Sequence, residues 1–409
     1  MGKKDRIVCG LDVGTEKICC LVARARPDDS IEVLGSGYAP AAGLRKGIVV
    51  DLEEAAAAIR RAAQEAELKS SLSVDWVTVG VSGDHIQGVN CHGAISIDGK
   101  HHEVTTDDVA HVIQAAQTAP IPPSRDVVHV LTQEFFLDNR GDIRNPVGLT
   151  GLRLDVDVHV VTCDGALMQN LINAVNRAQM RVKKVVLPQL ASAQAVLMQE
   201  EKEMGTAVID IGGGTADIAL ITRDALRACS VLPVGGTHFS RDLAVGLRTS
   251  IEEADRIKRE FGSIRVDGFA DDEVIEVEGV ARRHPRQVKR RIICQILHDR
   301  AVEVLELIKD QIARAGCRDH LVSGAVLTGG GSMLDGMLPL AEQILEMPVR
   351  QGVPQNIAGL TEELVHPVYA TAVGLTMFAT LDGRDPRTAG GKANTTPWFV
   401  GKILSWVGS

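Results

Sequence analysis

Residues 206–222, TAVIDIGGGTADIALIT, contain the motif from which the fold is predicted. Residues 207–211 and 218–221 are apolar and rich in β-branched side chains, so we expect two short buried strands joined by a glycine turn. Three consecutive glycines let the backbone turn tightly and present its N–H groups to an anion. Asp210 would repel a phosphate unless a cation such as Mg²⁺ lay between them. A glycine hairpin flanked by solvated acids is the alternative, and this stretch alone does not decide.

The amino terminus carries the same pattern a second time. Residues 12–15 (DVGT) lie between the apolar runs 7–10 and 18–23, so the order is again strand, Asp, apolar residue, Gly, Thr, strand. Two unrelated hairpins are one interpretation. If instead the two loops faced each other, they would clamp a polyphosphate, and Asp12 and Asp210 would orient one hydrated Mg²⁺.

A third glycine turn lies nearer the carboxyl end. Residues 328–332 (TGGGS) follow the apolar run 325–327, which predicts a strand that turns into a helix. Such a turn suits the purine or the α-phosphate of a nucleotide at the start of the helix. Together, the three glycine turns predict a nucleotide site.

These three loops resemble those of the superfamily that contains actin, the sugar kinases and the heat-shock chaperone ATPases. Within it, the chain resembles the FtsA family of actin-like bacterial division proteins. Residues 232–236 (LPVGG), 242–249 (DLAVGLRT) and 366–375 (HPVYATAVGL) carry this resemblance, together with a tryptophan-bearing terminal segment. The resemblance implies an α/β, actin-like (ribonuclease H-like) two-domain ATPase fold with an FtsA-type inserted subdomain and a C-terminal amphipathic helix.

The resemblance also implies how the chain divides. The first actin-like domain is expected to consist of separate stretches, because an inserted subdomain and the second domain interrupt it. The expected stretches are 1–82, 163–190 and the closing helix 360–381 for the first domain, 83–162 for the inserted subdomain, 191–237 and 300–359 for the second domain, 238–299 for its subdomain, 382–397 for a flexible linker and 398–409 for the amphipathic helix.

Carried onto this chain, the resemblance implies a set of ATP-binding residues, with Mg²⁺ held through water by Asp12 and Asp210. Without the resemblance, Asp255, Lys258 and Arg259 would be interpreted only as charges on one face of a helix predicted for residues 251–261. Relatives use an acid, a Lys and an Arg at corresponding positions to touch adenine and ribose. The expected set is Asp12, Gly14, Thr15, Asp210, Gly212, Gly213, Gly214, Thr215, Gly235, Gly236, Asp255, Lys258, Arg259, Gly329, Gly330, Gly331 and Ser332.

The residue that would position the attacking water departs from the family pattern. In relatives, the helix predicted here for residues 187–200 begins with or carries a Glu or Gln, whereas this chain has Pro188–Gln189 in place of the usual Glu–Pro pair. Gln189 and Gln194 are the candidate catalytic residues, since an amide can orient water but is a weak base. The alternative is that both are surface polar residues. We therefore expect ATP hydrolysis to be slow at most.

Two further elements of the second domain are predicted between residues 269 and 315. Residues 269–280 are interpreted as a strand pair with an acidic tip. Residues 285–315 carry apolar side chains at helical spacing and are interpreted as one long helix.

The composition is that of a protein from a reducing compartment with no nucleic-acid partner. The 409 residues are 45% apolar, enough for more than one core, and the formal net charge is −9. The eight cysteines are scattered without the spacing of a metal site. We find no apolar run long enough to span a bilayer and no signal peptide.

The carboxyl-terminal residues change composition abruptly. Residues 382–397 are rich in Gly, Pro, Thr and Asn, which is typical of a flexible tether, and residues 398–407 (WFVGKILSWV) are strongly apolar. On a helical wheel, Gly401, Lys402 and Ser405 lie opposite one broad apolar arc. The two hypotheses are an in-plane membrane anchor and a docking helix for another protein, and two tryptophans favour the membrane. The expected membrane residues are Trp398, Phe399, Val400, Ile403, Leu404, Trp406 and Val407.

The resemblance implies an ATP-binding division protein that polymerises at the septum on the cytoplasmic face of the bacterial inner membrane, as a peripheral membrane protein. Its expected partners are the C-terminal peptide of FtsZ, whose ring it tethers, later division proteins at the inserted subdomain, further copies of itself and inner-membrane lipids. A small-molecule kinase is the alternative of another class, but no convincing catalytic carboxylate is seen. A pilus-assembly relative is the nearer alternative, and it is expected to lack the apolar tail.

Overall fold

The computed structural model describes residues 5–26, 30–98, 101–117, 121–266, 273–279, 285–355 and 357–380. The first domain begins with an antiparallel ladder whose register places residues 12–15 at its turn, since Val13 pairs with Ile18. A helix that begins at Asp51 covers the sheet with its alanine-rich face, and the Asp51 carboxylate accepts the N–H groups of Glu53 and Glu54. The elements are β1 (Arg6–Val13), β2 (Lys17–Ala25), β3 (Ile31–Pro40), β4 (Leu44–Arg45), β5 (Ile48–Val49), α1 (Leu52–Ser70) and β6 (Trp76–Gly80).

The inserted subdomain is a four-stranded antiparallel sheet with one helix on its apolar face. Its elements are β7 (Gln87–Ser96), α2 (Thr106–Ala116), β8 (Arg125–Leu137), β9 (Arg140–Ile143) and β10 (Arg153–Asp164), in the sheet order β7-β10-β8-β9. Alternate residues of β10 are buried against α2, which gives this subdomain a core of its own.

The chain then returns to the first domain through α3 (Gly165–Arg177) and β11 (Arg181–Val186), which completes a sheet of order β11-β6-β1-β2-β3. The single helix predicted for residues 187–200 is wrong, because the chain forms α4 (Pro188–Val196) and α5 (Gln199–Met204) with an extended break between them. The carbonyl of Val196 accepts hydrogen bonds from Arg350 and Gln355 instead of continuing the helix.

The second domain repeats the same plan around the central motif. Its first elements are β12 (Thr206–Ile211), β13 (Ala216–Thr222), β14 (Ala225–Leu232), α6 (Gly236–Gly246) and α7 (Ile251–Phe261). The later ones are β15 (Val274–Val277), β16 (Arg286–Lys289), α8 (Arg290–Arg314), β17 (Ala325–Thr328), α9 (Met337–Leu345) and β18 (Val349–Gln351), with short 3-10 turns at Arg318–His320 and Gly330–Met333. A further 3-10 turn, Pro367–Tyr369, leads into α10 (Ala370–Thr380), which packs on the first domain. The main sheet has the order β14-β13-β12-β17-β18.

The predicted strand pair and long helix of the second domain have different bounds in the structure. The strand pair is β15 with β16, so its second strand lies in the segment that was predicted as the start of the long helix. Helix α8 begins only at Arg290, whose N–H donates to the carbonyl of Glu273. Pairing with β15 therefore overrides the helical periodicity of residues 286–289.

Each domain has its own large hydrophobic core, and α10 closes the first domain by packing against β1 and α4. No helix within the described ranges is long and apolar enough to cross a membrane.

Candidate functional site

A cavity of about 600 Å³ lies between the two domains and is lined by all three glycine loops. Most of the predicted nucleotide residues line it: Asp12, Gly14, Thr15, Gly212, Gly213, Gly214, Thr215, Gly236, Lys258, Arg259, Gly329, Gly330 and Gly331. Four predicted residues, Asp210, Gly235, Asp255 and Ser332, are not part of the wall. Asp210, Asp255 and Ser332 each make a hydrogen bond to a residue that is.

The first two loops have the same local geometry. The N–H of Gly14 donates to the carbonyl of Lys17, and the N–H of Gly212 donates to the carbonyl of Thr215, each at 2.9 Å. The repeated sequence pattern therefore produces a repeated four-residue turn, one in each domain. The two turns face each other across the cavity, as the repeat predicts.

The loops also touch, and only glycine permits so close an approach. A Cβ atom on Gly214 would lie 2.5 Å from the Thr15 hydroxyl oxygen, and one on Gly213 would lie 2.2 Å from Cγ of Glu16. Both distances are far below van der Waals contact, so a larger residue at either position would require the Thr15 or Glu16 side chain to move.

The third loop is shaped by Gly329, whose φ of +80° belongs to the left-handed region. A Cβ at this position would lie 2.2 Å from a carboxylate oxygen of Asp210. The Ser332 hydroxyl donates to the Gly329 carbonyl at 2.7 Å and so holds the turn from behind. The helix expected directly after the turn is a short 3-10 turn, and α9 begins at Met337.

Asp12 and Asp217 line the floor of the cleft, and a third carboxylate, that of the buried Asp210, lies behind them outside the wall. Asp210 and Asp217 pair across the β12–β13 ladder, and Asp12 lies close enough to influence both. Asp210 is buried, and its carboxylate accepts the hydroxyl protons of Ser192 and Thr371, both at 2.8 Å.

Asp217 lines the cavity, although the sequence analysis did not include it among the site residues. The Ser82 and Thr215 hydroxyls donate to its carboxylate at 3.1 and 3.0 Å.

Burial of these acids changes their protonation. It raises the pKa of Asp12 to about 6, against the lowering effect of Lys17, and it raises the pKa of Asp217 to about 7 with a further contribution from Asp210. The pKa of Asp210 is also raised, by burial, although its two hydrogen bonds oppose this. Three acids so close together, two of them buried and Asp12 partly buried, favour a divalent cation at the cleft. Among the described residues, no group of three or more His, Cys, Asp or Glu side chains is placed to hold a metal ion directly.

Lys17 is a second cavity-lining residue that the sequence analysis missed. Its ammonium lies 3.9 Å from a carboxylate oxygen of Asp12, donates to the carbonyl of Val368 and sits 4.5 Å from the centre of the Tyr369 ring. Lys17 follows the first loop closely in the sequence, and this position could have identified it as a site residue. Its ammonium places a positive charge beside the loop, where a bound phosphate would lie.

Lys258 and Arg259 line the opposite part of the cavity, and Asp255 holds both in place. The Asp255 carboxylate accepts from Lys258 at 2.7 Å and pairs with Arg259 at 2.7 Å. Lys258 also donates to the carbonyl of Gly236 at 3.0 Å. Asp255 is therefore a positioning residue here and not part of the wall.

Gly235 is the N-cap of α6, and this helix is tied to the second glycine loop. The N–H of Gly236 donates to the carbonyl of Gly212, and the N–H of Thr237 donates to the carbonyl of Gly213. The first N–H groups of α6 thus bond to the loop, so movement of the loop is transmitted to the helix.

Neither candidate catalytic glutamine lines the cavity. Gln189 is fully buried, so its interpretation as a surface residue is wrong. Neither atom of its side-chain amide has a hydrogen-bond partner among the residues that the structure describes. Its neighbour Pro188 does line the cavity. The Gln194 amide oxygen accepts from Lys202 at 3.1 Å. The predicted linker and membrane helix, residues 382–409, lie outside the described residues.

The raised acid pKa values predict that the Mg²⁺-free protein loses stability as pH rises. The pKa of Asp217 is about 7 in the folded protein and near 4 in the unfolded chain, so the folded state binds the extra proton between these values, and stability falls across this window. Asp217→Asn is expected to raise the free energy of unfolding by about 2 kcal/mol at pH 8 and to change it little at pH 4.5. Urea denaturation in EDTA at both pH values measures this. An equal change in the free energy of unfolding at the two pH values would show that the pKa of the Asp217 carboxylate is not raised in the folded protein.

Comparison with known proteins identifies the family. The family model described as "Cell division protein FtsA" matches residues 207–374, and the one described as "SHS2 domain inserted in FTSA" matches residues 83–162. The cell division protein FtsA of Pseudomonas aeruginosa is 39% identical over 373 residues, which cover 91% of this chain and 89% of that protein. FtsA of Escherichia coli K12 is 34% identical over 409 aligned positions, which cover 98% of this chain and 96% of that protein.

Solved structures share the fold. The PilM–PilN type IV pilus biogenesis complex has a TM-score of 0.65 at 16% identity, covering 91% of this chain and 98% of that chain. MreB5 of Spiroplasma citri bound to AMPPNP has a TM-score of 0.55 at 12% identity, and the alignment covers 92% of this chain and 96% of that chain. These similarities confirm the predicted actin-like architecture, while the FtsA relatives do not favour the pilus or kinase alternatives. The chain belongs to the FtsA family of cell division proteins.

Proposed function

We propose that this division protein binds ATP with Mg²⁺ in the cleft between its two domains. The observation that carries the proposal is the pair of matched glycine turns that face each other above three acids, with Lys17 beside them. The turns supply backbone donors for phosphates, and the acids supply the site for a hydrated cation. The Gly330–Met333 turn and the pair Lys258 and Arg259 would receive the adenosine part.

In this proposal, ATP acts mainly as an assembly ligand and is hydrolysed slowly. Gln189 is buried away from the cavity and Gln194 is held by Lys202, and neither is a strong base. ATP would instead bring the two domains together, because its phosphates would lie between loops that belong to different domains.

The wider role follows from the family and from the tail sequence. The protein would polymerise as a peripheral membrane protein on the cytoplasmic face of the inner membrane at the septum, attached through residues 398–409. It would tether the FtsZ ring by the C-terminal peptide of FtsZ and recruit later division proteins through the inserted subdomain. A MamK double helical filament with the same fold, TM-score 0.52, supports self-association of this architecture.

Electron microscopy of the full chain with ATP, Mg²⁺ and anionic phosphatidylglycerol vesicles tests the proposal. Filaments are expected on the vesicles with ATP and fewer without it, and phosphate release in the same samples is expected to be far slower than about 10 s⁻¹, a median enzyme rate. Turnover in the ordinary enzyme range would refute the assembly-ligand role. Vesicles that stay bare with ATP present would refute assembly on the membrane.

A further inference from the structure

Ser82 lies directly before the inserted subdomain, which begins at residue 83, and it lines the cavity between the two domains. Its hydroxyl donates to one carboxylate oxygen of Asp217 at 3.1 Å and lies 3.4 Å from the Thr215 hydroxyl. The Thr215 hydroxyl donates to the other carboxylate oxygen of Asp217 at 3.0 Å. A hydroxyl of the first domain is thus bonded to side chains of the second domain inside the cleft.

The side chains that Ser82 contacts belong to the second glycine turn and the strand after it. The carbonyl of Thr215 accepts the N–H of Gly212, which is the hydrogen bond that closes this turn. Thr215 and Asp217 are both buried, and a buried carboxylate requires hydrogen-bond donors. Because one of these donors comes from the other domain, the Ser82 hydroxyl fixes the turn relative to the first domain.

The backbone of Ser82 is itself held on both sides. The N–H of Val81 donates to the carbonyl of Val186 at 3.0 Å, and Gly83 follows with a φ of +135°, which favours glycine. A Cβ on Gly47 would lie 3.0 Å from the carbonyl carbon and oxygen of Ser82, so the two backbone segments pack closely. The Ser82 hydroxyl is therefore presented to the cleft by a backbone with little freedom.

The same junction binds the two ends of the inserted subdomain to each other. Nδ1 of His85 accepts the N–H of Asp164 at 3.2 Å, and the carbonyl of His85 accepts from Arg125 at 2.6 Å. Arg125 also donates to the carbonyl of Thr162 at 3.0 Å. The chain entering the subdomain and the chain leaving it are therefore joined close to Ser82. A displacement of the subdomain would act on the backbone that carries the Ser82 hydroxyl.

We propose that Ser82 is a positioning residue of the nucleotide site, which sets the second glycine turn against the first domain and links that turn to the inserted subdomain. This inference rests on the proposed nucleotide site. Ser82 acts through Asp217 and Thr215, whose positions determine where the N–H groups of the turn point. A nucleotide held by the turn would thereby also stabilise the base of the inserted subdomain.

The first test is calorimetry of MgATP binding to the full chain and to its Ser82→Ala variant. We expect Kd to rise by about tenfold, the effect of losing one hydrogen bond to a charged group. Ser82→Thr keeps the hydroxyl and should restore most of the affinity. Ser96→Ala, at the exposed end of β7, is the matched control and should bind as the unaltered protein does. An unchanged Kd for Ser82→Ala would overturn the proposal.

A double-mutant cycle separates positioning from direct contact with the nucleotide. If Ser82 acts through the Asp217 carboxylate, Ser82→Ala should weaken MgATP binding little further in a chain that already carries Asp217→Ala. If Ser82 instead touched the nucleotide directly, the full loss of affinity would persist in that background. That result would overturn the positioning role.

The last test does not need a nucleotide. Hydrogen exchange of the ligand-free proteins should be faster in Ser82→Ala than in the unaltered chain at residues 83–86 and 212–217, and Ser82→Thr should exchange as the unaltered chain does. Equal exchange in Ser82→Ala and the unaltered chain would overturn the link. If none of the proteins binds MgATP, the proposed nucleotide site fails, and exchange without ligand still decides whether Ser82 joins the turn to the inserted subdomain.

Discussion

Asp12→Asn is expected to weaken MgATP binding by about 10- to 100-fold, the range typical for loss of an outer-shell group of a metal site. The Asp12 carboxylate lines the cavity beside Lys17 and is coupled to Asp210. Its removal takes away part of the negative charge that would hold hydrated Mg²⁺, while the glycine turns remain. Binding of ATP in EDTA should therefore change little or become stronger.

Calorimetry with and without Mg²⁺ separates these effects. Asp224→Asn is the matched control, because Asp224 lies in the β13–β14 turn with a φ of +62°, which asparagine adopts readily. It is expected to bind MgATP as the unaltered protein does. If Asp12→Asn and Asp224→Asn bound MgATP equally, the acidic floor would have no role in cation binding.

The parts of the site that could be predicted from the sequence are those that local pattern determines. Both phosphate-type turns follow from an apolar run, an acid and glycines, and each turn has the same internal hydrogen bond. The order of domains followed from the resemblance, and the actin-like fold is confirmed by the solved structures that share it.

The features that could not be predicted from the sequence depend on contacts between residues that are far apart in the chain. Asp217 reaches the cleft because β12 and β13 pair in the register that sets it opposite Asp210. Residues 286–289 form a strand only because β15 is available as a partner. Gln189 is polar and was expected near water or on the surface, but α4 is buried on almost every side, so helical position alone could not show its burial.

In the proposed function, nucleotide binding in the cleft and membrane binding by the tail both favour the same polymer. A nucleotide between the loops would fix the relative positions of the two domains, and movement of the second loop would reach α6 through the bonds of Gly236 and Thr237. A domain arrangement that favours polymer also brings many tails to one surface. Each tail would bind weakly, and the polymer would bind strongly through their combined effect.

Deletion of residues 398–409 is therefore expected to leave a folded, ATP-binding protein that no longer sediments with anionic vesicles. The cores that the structure describes are built from residues up to α10. Large apolar side chains contribute about 1.5–3 kcal/mol each on full burial, and a helix in the membrane interface gains part of that. Co-sedimentation with phosphatidylglycerol vesicles, together with calorimetry of MgATP, measures both parts of the prediction.

A single charge at the centre of the apolar arc should have nearly the same effect as the deletion. Trp406→Glu places a carboxylate among the side chains that would enter the membrane, and we expect most of the vesicle binding to be lost. Ser405→Glu is the matched control, because it adds the same charge to the polar side of the predicted helix. It should weaken binding only modestly, through repulsion from the anionic lipid. If Trp406→Glu sedimented as well as the unaltered chain, the apolar arc would instead dock on another protein, and the membrane attachment would have to come from a different part of the molecule.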